Sequence, residues 1–387
     1  MSKYLLTPGP VELPHEVILA GAQQLVGHRT PEFSELLSSI EIKLGKLLKS
    51  DGPVVILPSS GTGALECLTV NFLKKGDKFL SVSCGEFGDR FRKIAEQTGA
   101  EALCLDVPMG SVAEPAAVSK FVSQHPECKV LFLTHNETST GIVNPIKEIV
   151  SSLPNENRPF VLVDGVSSVG TMECFPDEWG VDGLATASQK GLLTPPGLGF
   201  VWLSKKAWIY IDTKECSSYY FDLKLHRKVL VSEFPANPFT PPISLYFALN
   251  VALDIILEQG LDNWFKSRIR YSKALAVGLE SLGFELLVSN KKFRSPGLTA
   301  FYSTTLNTEA VRKNLKSMKI ETAGGMGNLK DKLIRVAHYN DCAWPELSMI
   351  LGSLYASAIK LGANPNTNYI TKALNTWNEE TYINHEK

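Results

Sequence analysis

A series of short apolar runs, each bounded by turn residues, constrains this chain more than any other feature. "VVILP" (54 to 58) precedes a helical pattern near 62 to 73, and "KFLSVS" (78 to 83) precedes another near 88 to 98. "KVLFLTH" (129 to 135), "PFVLVDG" (159 to 165), "GLATAS" (183 to 188) and "GFVWLS" (199 to 204) continue the series. Strands that are apolar throughout are buried on both faces, and their alternation with helices predicts an α/β domain: a mostly parallel sheet flanked by helices. In such sheets ligands bind beyond the carboxyl ends of the strands. The residues just after each run are therefore the ones to inspect.

From about residue 244 the pattern changes. A long helical stretch, "SLYFALNVALDIILEQG", ends at Gly260, a plausible C-terminal stop. Helical pattern at 262 to 282, strand-like "FELLV" and "LTAFYS", a helix at 308 to 317 and "KLIRVAH" then read as a smaller C-terminal α+β domain. The expected division is an N-terminal segment 1–20, a large domain 21–260, a small domain 261–362 and a polar extension 363–387. That extension reads equally as a peripheral helix or a disordered tail.

Composition excludes several partners. With 387 residues and 44% hydrophobic residues the chain can bury a sizeable core. A formal net charge of −1 without a basic block gives no electrostatic footprint for nucleic acid or an anionic membrane. No apolar stretch reaches the roughly 18 residues of a membrane span, and the start, "MSKYLLTPGPVELP", lacks a signal-peptide core. Seven cysteines without a CxxC pair argue against a disulfide framework and for the reducing cytoplasm, with organellar import left open. The partners expected are small molecules and further copies of the chain.

Three positions could carry chemistry together. "PSSGTGALE" (58 to 66) follows a strand and opens a helix, so Ser60, Gly61 and Thr62 offer hydroxyls and free N–H groups that suit a phosphate. An ordinary Ser/Thr-capped turn would read the same way. Asp164 ends an apolar run, where a buried carboxylate needs a cationic or strong hydrogen-bonding partner. Lys190, in "TASQKGLLTPPGLGFVWLS", follows another strand among small residues, where desolvation can lower its pKa and make its amine nucleophilic. A surface lysine is the ordinary alternative. A phosphate cradle, a buried acid and a strand-end lysine are more specific in combination than singly.

With these residues in view the chain resembles the class V aminotransferases, fold type I pyridoxal-phosphate enzymes, in the branch of alanine-glyoxylate, serine-pyruvate and aspartate aminotransferase-like proteins. "LLTPGPVELP", "GHRTPEF", "SSGTGALE", "GEFGDRF", "THNETSTG", "VDGVSSVG", "SQKGLLTPPGLGFV" and "FTPPISLY" match in the family's order, over residues 4 to 362. The resemblance implies that Lys190 binds pyridoxal 5'-phosphate as a Schiff base and shuttles a proton. It implies that Asp164 pairs with the pyridine nitrogen, Phe87 stacks on the ring, and Thr138 lies on the hydroxyl side. Ser60, Gly61, Thr62 and Gln189 would hold the phosphate, and Thr240 would reach the phosphate of a neighbouring subunit. Asn237 stands where some relatives have a tyrosine, which leaves its contact open. The implied assembly is a homodimer with composite sites.

For substrate, the resemblance assigns the α-carboxylate to Arg335, closure to the segment carrying Gly9, and places near the mouth to Arg29 and, less directly, His28. The activity implied is ping-pong transfer of an amino group from alanine, serine or aspartate to glyoxylate, pyruvate or 2-oxoglutarate. Arg29 is the motif arginine that could serve a dicarboxylate donor. Alternatives are aminoethylphosphonate-pyruvate transamination and a non-catalytic subunit of a larger complex. A desulfurising lyase would require a nucleophilic cysteine near the substrate arginine, and Cys342 stands in no such motif.

Overall fold

The apolar runs become one seven-stranded sheet. In the computed structural model, which describes residues 4–340 and 342–382, its order is Val54–Pro58, Leu198–Leu203, Gly183–Ala187, Phe160–Asp164, Val130–Thr134, Lys78–Ser83, Glu101–Asp106. All pairings are parallel except those of Leu198–Leu203, which is antiparallel to both neighbours. Every residue of Val130–Thr134, Gly183–Ala187 and Leu198–Leu203 is buried, as strands covered on both faces require. The edge strand Glu101–Asp106 has no buried residue; in "EALCLD" acidic residues bracket its four apolar ones.

A second sheet has five strands in the order Tyr4–Leu6, Ile320–Gly324, Ile334–Ala337, Leu298–Tyr302, Glu285–Leu286. Tyr4–Leu6 runs parallel to Ile320–Gly324, with Tyr4 opposite Ile320, so the N-terminal segment is woven into the C-terminal sheet. The other pairings are antiparallel.

Helix Ile243–Glu258 buries residues on most of its circumference, including Tyr246, Leu249, Leu253 and Ile256. Gly260, at φ 75°, ends that stretch and starts helix Leu261–Ser281, and the two axes turn by 85°. The second helix belongs to both cores. Its Trp264 and Phe265 pack in the large core, while Tyr271, Leu275 and Leu279 pack in the small one. Fully burying a side chain of this size contributes about 1.5–3 kcal/mol, so the helix fastens the two halves together. Trp264 adds a hydrogen bond from Nε1 to the Gly170 carbonyl at 2.7 Å.

The polar extension forms a helix, Tyr369–Tyr382, against Leu261–Ser281. Its Ala373 and Trp377 are buried; Trp377 lies 5.7 Å from the Trp344 ring and under the Arg270 guanidinium at 3.9 Å. Residues 383–387 of the extension lie outside the described residues. Among the described residues no single helix is long and apolar enough to cross a membrane.

Candidate active site

Lys190 stands three residues beyond the buried strand Gly183–Ala187, on a turn tied back to itself. Ser188 donates to the Pro195 carbonyl at 2.7 Å and its own carbonyl accepts from Thr194, while Leu193 donates to the Lys190 carbonyl at 2.9 Å. The Pro/Gly run then returns the chain into Leu198–Leu203, which explains the composition around the lysine. The side chain is 7% exposed, and its Nζ lies 5.0 Å from the centre of the Phe87 ring. Burial lowers its pKa to about 8; Asp164 and Glu137 oppose the shift, and Arg335 and Arg90 add to it.

Asp164 ends strand Phe160–Asp164, buried, with Oδ1 accepting the Val166 N–H at 2.9 Å. Burial raises its pKa to about 6, against the Val166 hydrogen bond and the charges of Lys190 and Arg90. At neutral pH it is therefore an anion facing a buried amine.

Glu137 is a site residue that the sequence motif contained but that residue-by-residue reading passed over in favour of Thr138. It is wholly buried and accepts four hydrogen bonds: Phe87 N–H at 3.1 Å and Gly88 N–H at 3.0 Å on Oε2, Ser139 N–H at 3.0 Å and Ser139 Oγ at 2.6 Å on Oε1. It thereby caps the first turn of helix Glu86–Glu96 and fixes the backbone that carries Phe87. Burial raises its pKa, and the four bonds oppose the rise. Arg90, one turn after Phe87, places its guanidinium carbon 4.7 Å from the same ring.

Helix Gly61–Phe72 begins directly after strand Val54–Pro58. Ser60 caps it, accepting the Gly63 N–H at 3.2 Å, so the N–H groups of Gly61 and Thr62 stay outside the intrahelical ladder. Gly61 is required for packing: a Cβ there would stand 2.9 Å from Val166 and 3.0 Å from Ala187. Ser60 and Thr62 are exposed, and beside Lys190 the Gln189 Oε1 is buried with no hydrogen-bond partner among the described residues.

The small domain supplies the opposite wall. Arg335, buried in strand Ile334–Ala337, donates from Nε to the Gly324 carbonyl at 2.8 Å and from Nη1 to the Thr138 carbonyl at 2.9 Å. Two fixed N–H groups orient the fork, and among the described residues Nη2 has no partner; burial lowers the guanidinium pKa. Gly9, at φ 130°, lies against the lysine, where a Cβ would come within 3.2 Å of Lys190 Cγ and Cε.

The structure gives Arg29 a structural contact: it donates to the carbonyls of Asn237 and Pro238, both at 3.1 Å. Asn237 is buried and its amide donates to the Ile56 carbonyl at 3.2 Å, while Thr240 is exposed on the same segment. His28 is half-buried beside Arg29. Cys342 is buried, with its thiol donating to the His338 carbonyl at 3.1 Å.

The donor set fits pyridoxal 5'-phosphate. A buried amine of lowered pKa, a buried carboxylate for a ring nitrogen, an aromatic ring beside them and a helix start with an orphaned Gln189 oxygen are the groups that molecule requires.

Comparison with known proteins agrees. The family model Aminotransferase class-V matches residues 3–334. The chain is 36% identical to an uncharacterized aminotransferase of Methanocaldococcus jannaschii, covering 94% of each chain. It is 30% identical to the L-aspartate–glyoxylate aminotransferase of Paracoccus denitrificans, over 86% of this chain and 85% of that protein. The crystal structure of alanine–glyoxylate aminotransferase from Nostoc sp. superposes with a TM-score of 0.87 at 30% identity, covering 92% of this chain and 95% of that one.

Proposed function

Because the chain belongs to the class V aminotransferase family, a group of pyridoxal-phosphate enzymes, we propose that it transfers the amino group of a small amino acid to a 2-oxo acid by ping-pong exchange. The donors are alanine, serine or aspartate, and the acceptors glyoxylate, pyruvate or 2-oxoglutarate. The observation that carries this reading is the buried Lys190 amine, 5.0 Å from the centre of the Phe87 ring and under the opposing charges of Asp164 and Arg335.

Bound pyridoxal phosphate supplies an electron sink for negative charge developing at the substrate Cα. The chain's own groups do the rest. Lys190 Nζ, with a pKa of about 8, is matched to taking a proton from Cα and returning one near neutral pH. Asp164 would pair with the pyridine nitrogen, and Phe87, whose backbone is fixed through Glu137, would cover the ring. Ser60, Gly61, Thr62 and Gln189 would hold the phosphate, with Thr138 toward the ring's hydroxyl. Arg335 grips the α-carboxylate with its unengaged Nη2, and the Gly9 segment covers the lysine.

A homodimer completes the site, with Thr240 reaching across and Asn237 and Arg29 fixing its segment. Two exposed apolar side chains support this assembly: Ile42 is 61% and Phe234 65% exposed. The seven cysteines, all free thiols, support the cytoplasm as location.

The test is spectroscopic. The purified protein with pyridoxal phosphate should show a visible band that L-alanine, L-serine or L-aspartate converts to a near-ultraviolet one, and Lys190→Ala should lack both the band and the conversion. A wild-type protein that forms no visible band would overturn the cofactor site. Conversion by aminoethylphosphonate alone would overturn the donor assignment.

A further inference from the structure

Among the described residues, Glu137 is a buried acid with four hydrogen bonds and no ion pair. A carboxylate offers about four acceptor sites. All are taken by N–H and O–H donors, so a proton on either oxygen would point at another proton. The positive counterpart is the start of helix Glu86–Glu96: the Phe87 and Gly88 N–H groups donate to Oε2, and the Glu86 N–H is held at 3.1 Å by Ser139 Oγ, which itself donates to Oε1 at 2.6 Å. Three consecutive N–H groups of one helix end thus converge on a single carboxylate. Gly85 leaves room for it, since a Cβ there would stand 2.7 Å from Glu137 Cγ and Cδ. The residues that follow reach the other domain. The Thr138 carbonyl accepts Arg335 Nη1 at 2.9 Å, and the Gly141 carbonyl accepts the Ser295 N–H at 2.9 Å. Residues 137–141 are therefore bonded on one side to the helix that carries Phe87 and on the other to the small domain with Arg335.

We propose that Glu137 is a positioning residue for the transfer reaction, an ionised carboxylate that locks the Phe87 backbone to the segment orienting Arg335 and supplies standing negative charge to the Lys190 amine. The proposal rests on the aminotransferase reading of the same site. Asp164 and Glu137 favour the protonated form of Lys190, while Arg335 and Arg90 oppose it. Without Glu137, two arginines face one aspartate, and the balance tips toward the neutral amine. A glutamine at this position replaces one oxygen by an NH2 group, which meets either the Phe87 and Gly88 N–H groups or the Ser139 N–H head-on. Aspartate keeps the charge and withdraws it by one methylene. Charge and reach are thereby separable.

The experiment uses full-length wild type, Glu137→Gln and Glu137→Asp. The rate at which each apoprotein captures pyridoxal phosphate is followed from about pH 6 to 10, and amide exchange at residues 86–88 is followed in each holoenzyme. In Glu137→Gln the pH at which capture levels off should fall by roughly one unit from the wild-type value of about 8, and exchange at Phe87 and Gly88 should quicken about tenfold or more. Glu137→Asp should quicken the same exchange yet level off at the wild-type pH. Loosened packing alone would quicken exchange in both variants and move neither profile. A Glu137→Gln profile that coincides with wild type would therefore overturn the proposal, as would unchanged exchange. Should glutamine prevent folding, Ser139→Ala, which removes one donor and keeps the carboxylate, takes its place: exchange at residues 86–88 should quicken about tenfold, and unaltered exchange would overturn the proposal. If the wild-type protein captures no cofactor at any pH, the aminotransferase reading itself falls, and this proposal with it.

Discussion

Replacing Asp164 by asparagine should stabilise the cofactor-free protein while weakening its chemistry. Burial raises this carboxyl from its ordinary 3.8 to about 6. Between those values the native state binds a proton that the unfolded chain does not, so wild-type stability falls as pH rises through the window. Above it, the ionised carboxylate costs about 3 kcal/mol relative to a neutral group. Asparagine keeps an acceptor for the Val166 N–H and carries no charge. That cost already includes the attraction of the Lys190 charge, which opposes the rise. The gain of about 3 kcal/mol, against an unfolding entropy of about 0.8 kcal/mol/K for a chain of this size, is a rise of roughly 3–4 °C in Tm at pH 7.5, shrinking toward zero near pH 4. The assay is the thermal midpoint of both apoproteins across pH 4–8. An asparagine variant less stable than wild type at pH 7.5, or a gap that does not close on acidification, would refute the reasoning. With cofactor bound, the same variant should slow the donor half-reaction roughly a hundredfold or more if Asp164 is, as proposed, the anion paired with the ring nitrogen.

Two further outcomes follow from burial. Covalent capture of pyridoxal phosphate by the apoprotein needs the neutral Lys190 amine, so its rate, followed by stopped-flow absorbance, should climb about tenfold per pH unit up to about 8 and then level off. Continued climbing to pH 10 would mean an ordinary lysine. Trp377→Ala should cost about 3 kcal/mol and undock helix Tyr369–Tyr382, read as lost amide-exchange protection across that helix while the visible cofactor band persists.

Much of the large sheet was legible because burial on both faces writes uninterrupted apolar runs, and Lys190 and Asp164 sit just beyond two of them. Glu101–Asp106 escaped because its apolar run, "ALCL", spans four residues between acidic ones on an edge strand with no buried residue. Glu137 lay within a quoted motif and three residues past "KVLFLT", yet only the fold shows that its partners are the N–H groups of residues 87 and 88, fifty positions earlier. The same limit hid the reach of Arg335 to Thr138 and the packing of Gly9 on Lys190. Local pattern reports which face of an element is buried, whereas such contacts depend on how two domains are brought together.

The pairing of Tyr4–Leu6 with Ile320–Gly324 imposes a timetable on biosynthesis. At about 5–20 residues per second, the ribosome needs roughly 15–60 s between making the first of these strands and the second. During that interval the large sheet, with Lys190, Asp164 and the Ser60 turn, is already outside the exit tunnel. The segment carrying Gly9 has nothing yet to anchor it over the lysine. Nascent chains therefore hold an uncovered cofactor pocket, and an apoprotein that loads its cofactor during translation would do so before its own N-terminus is fastened in place.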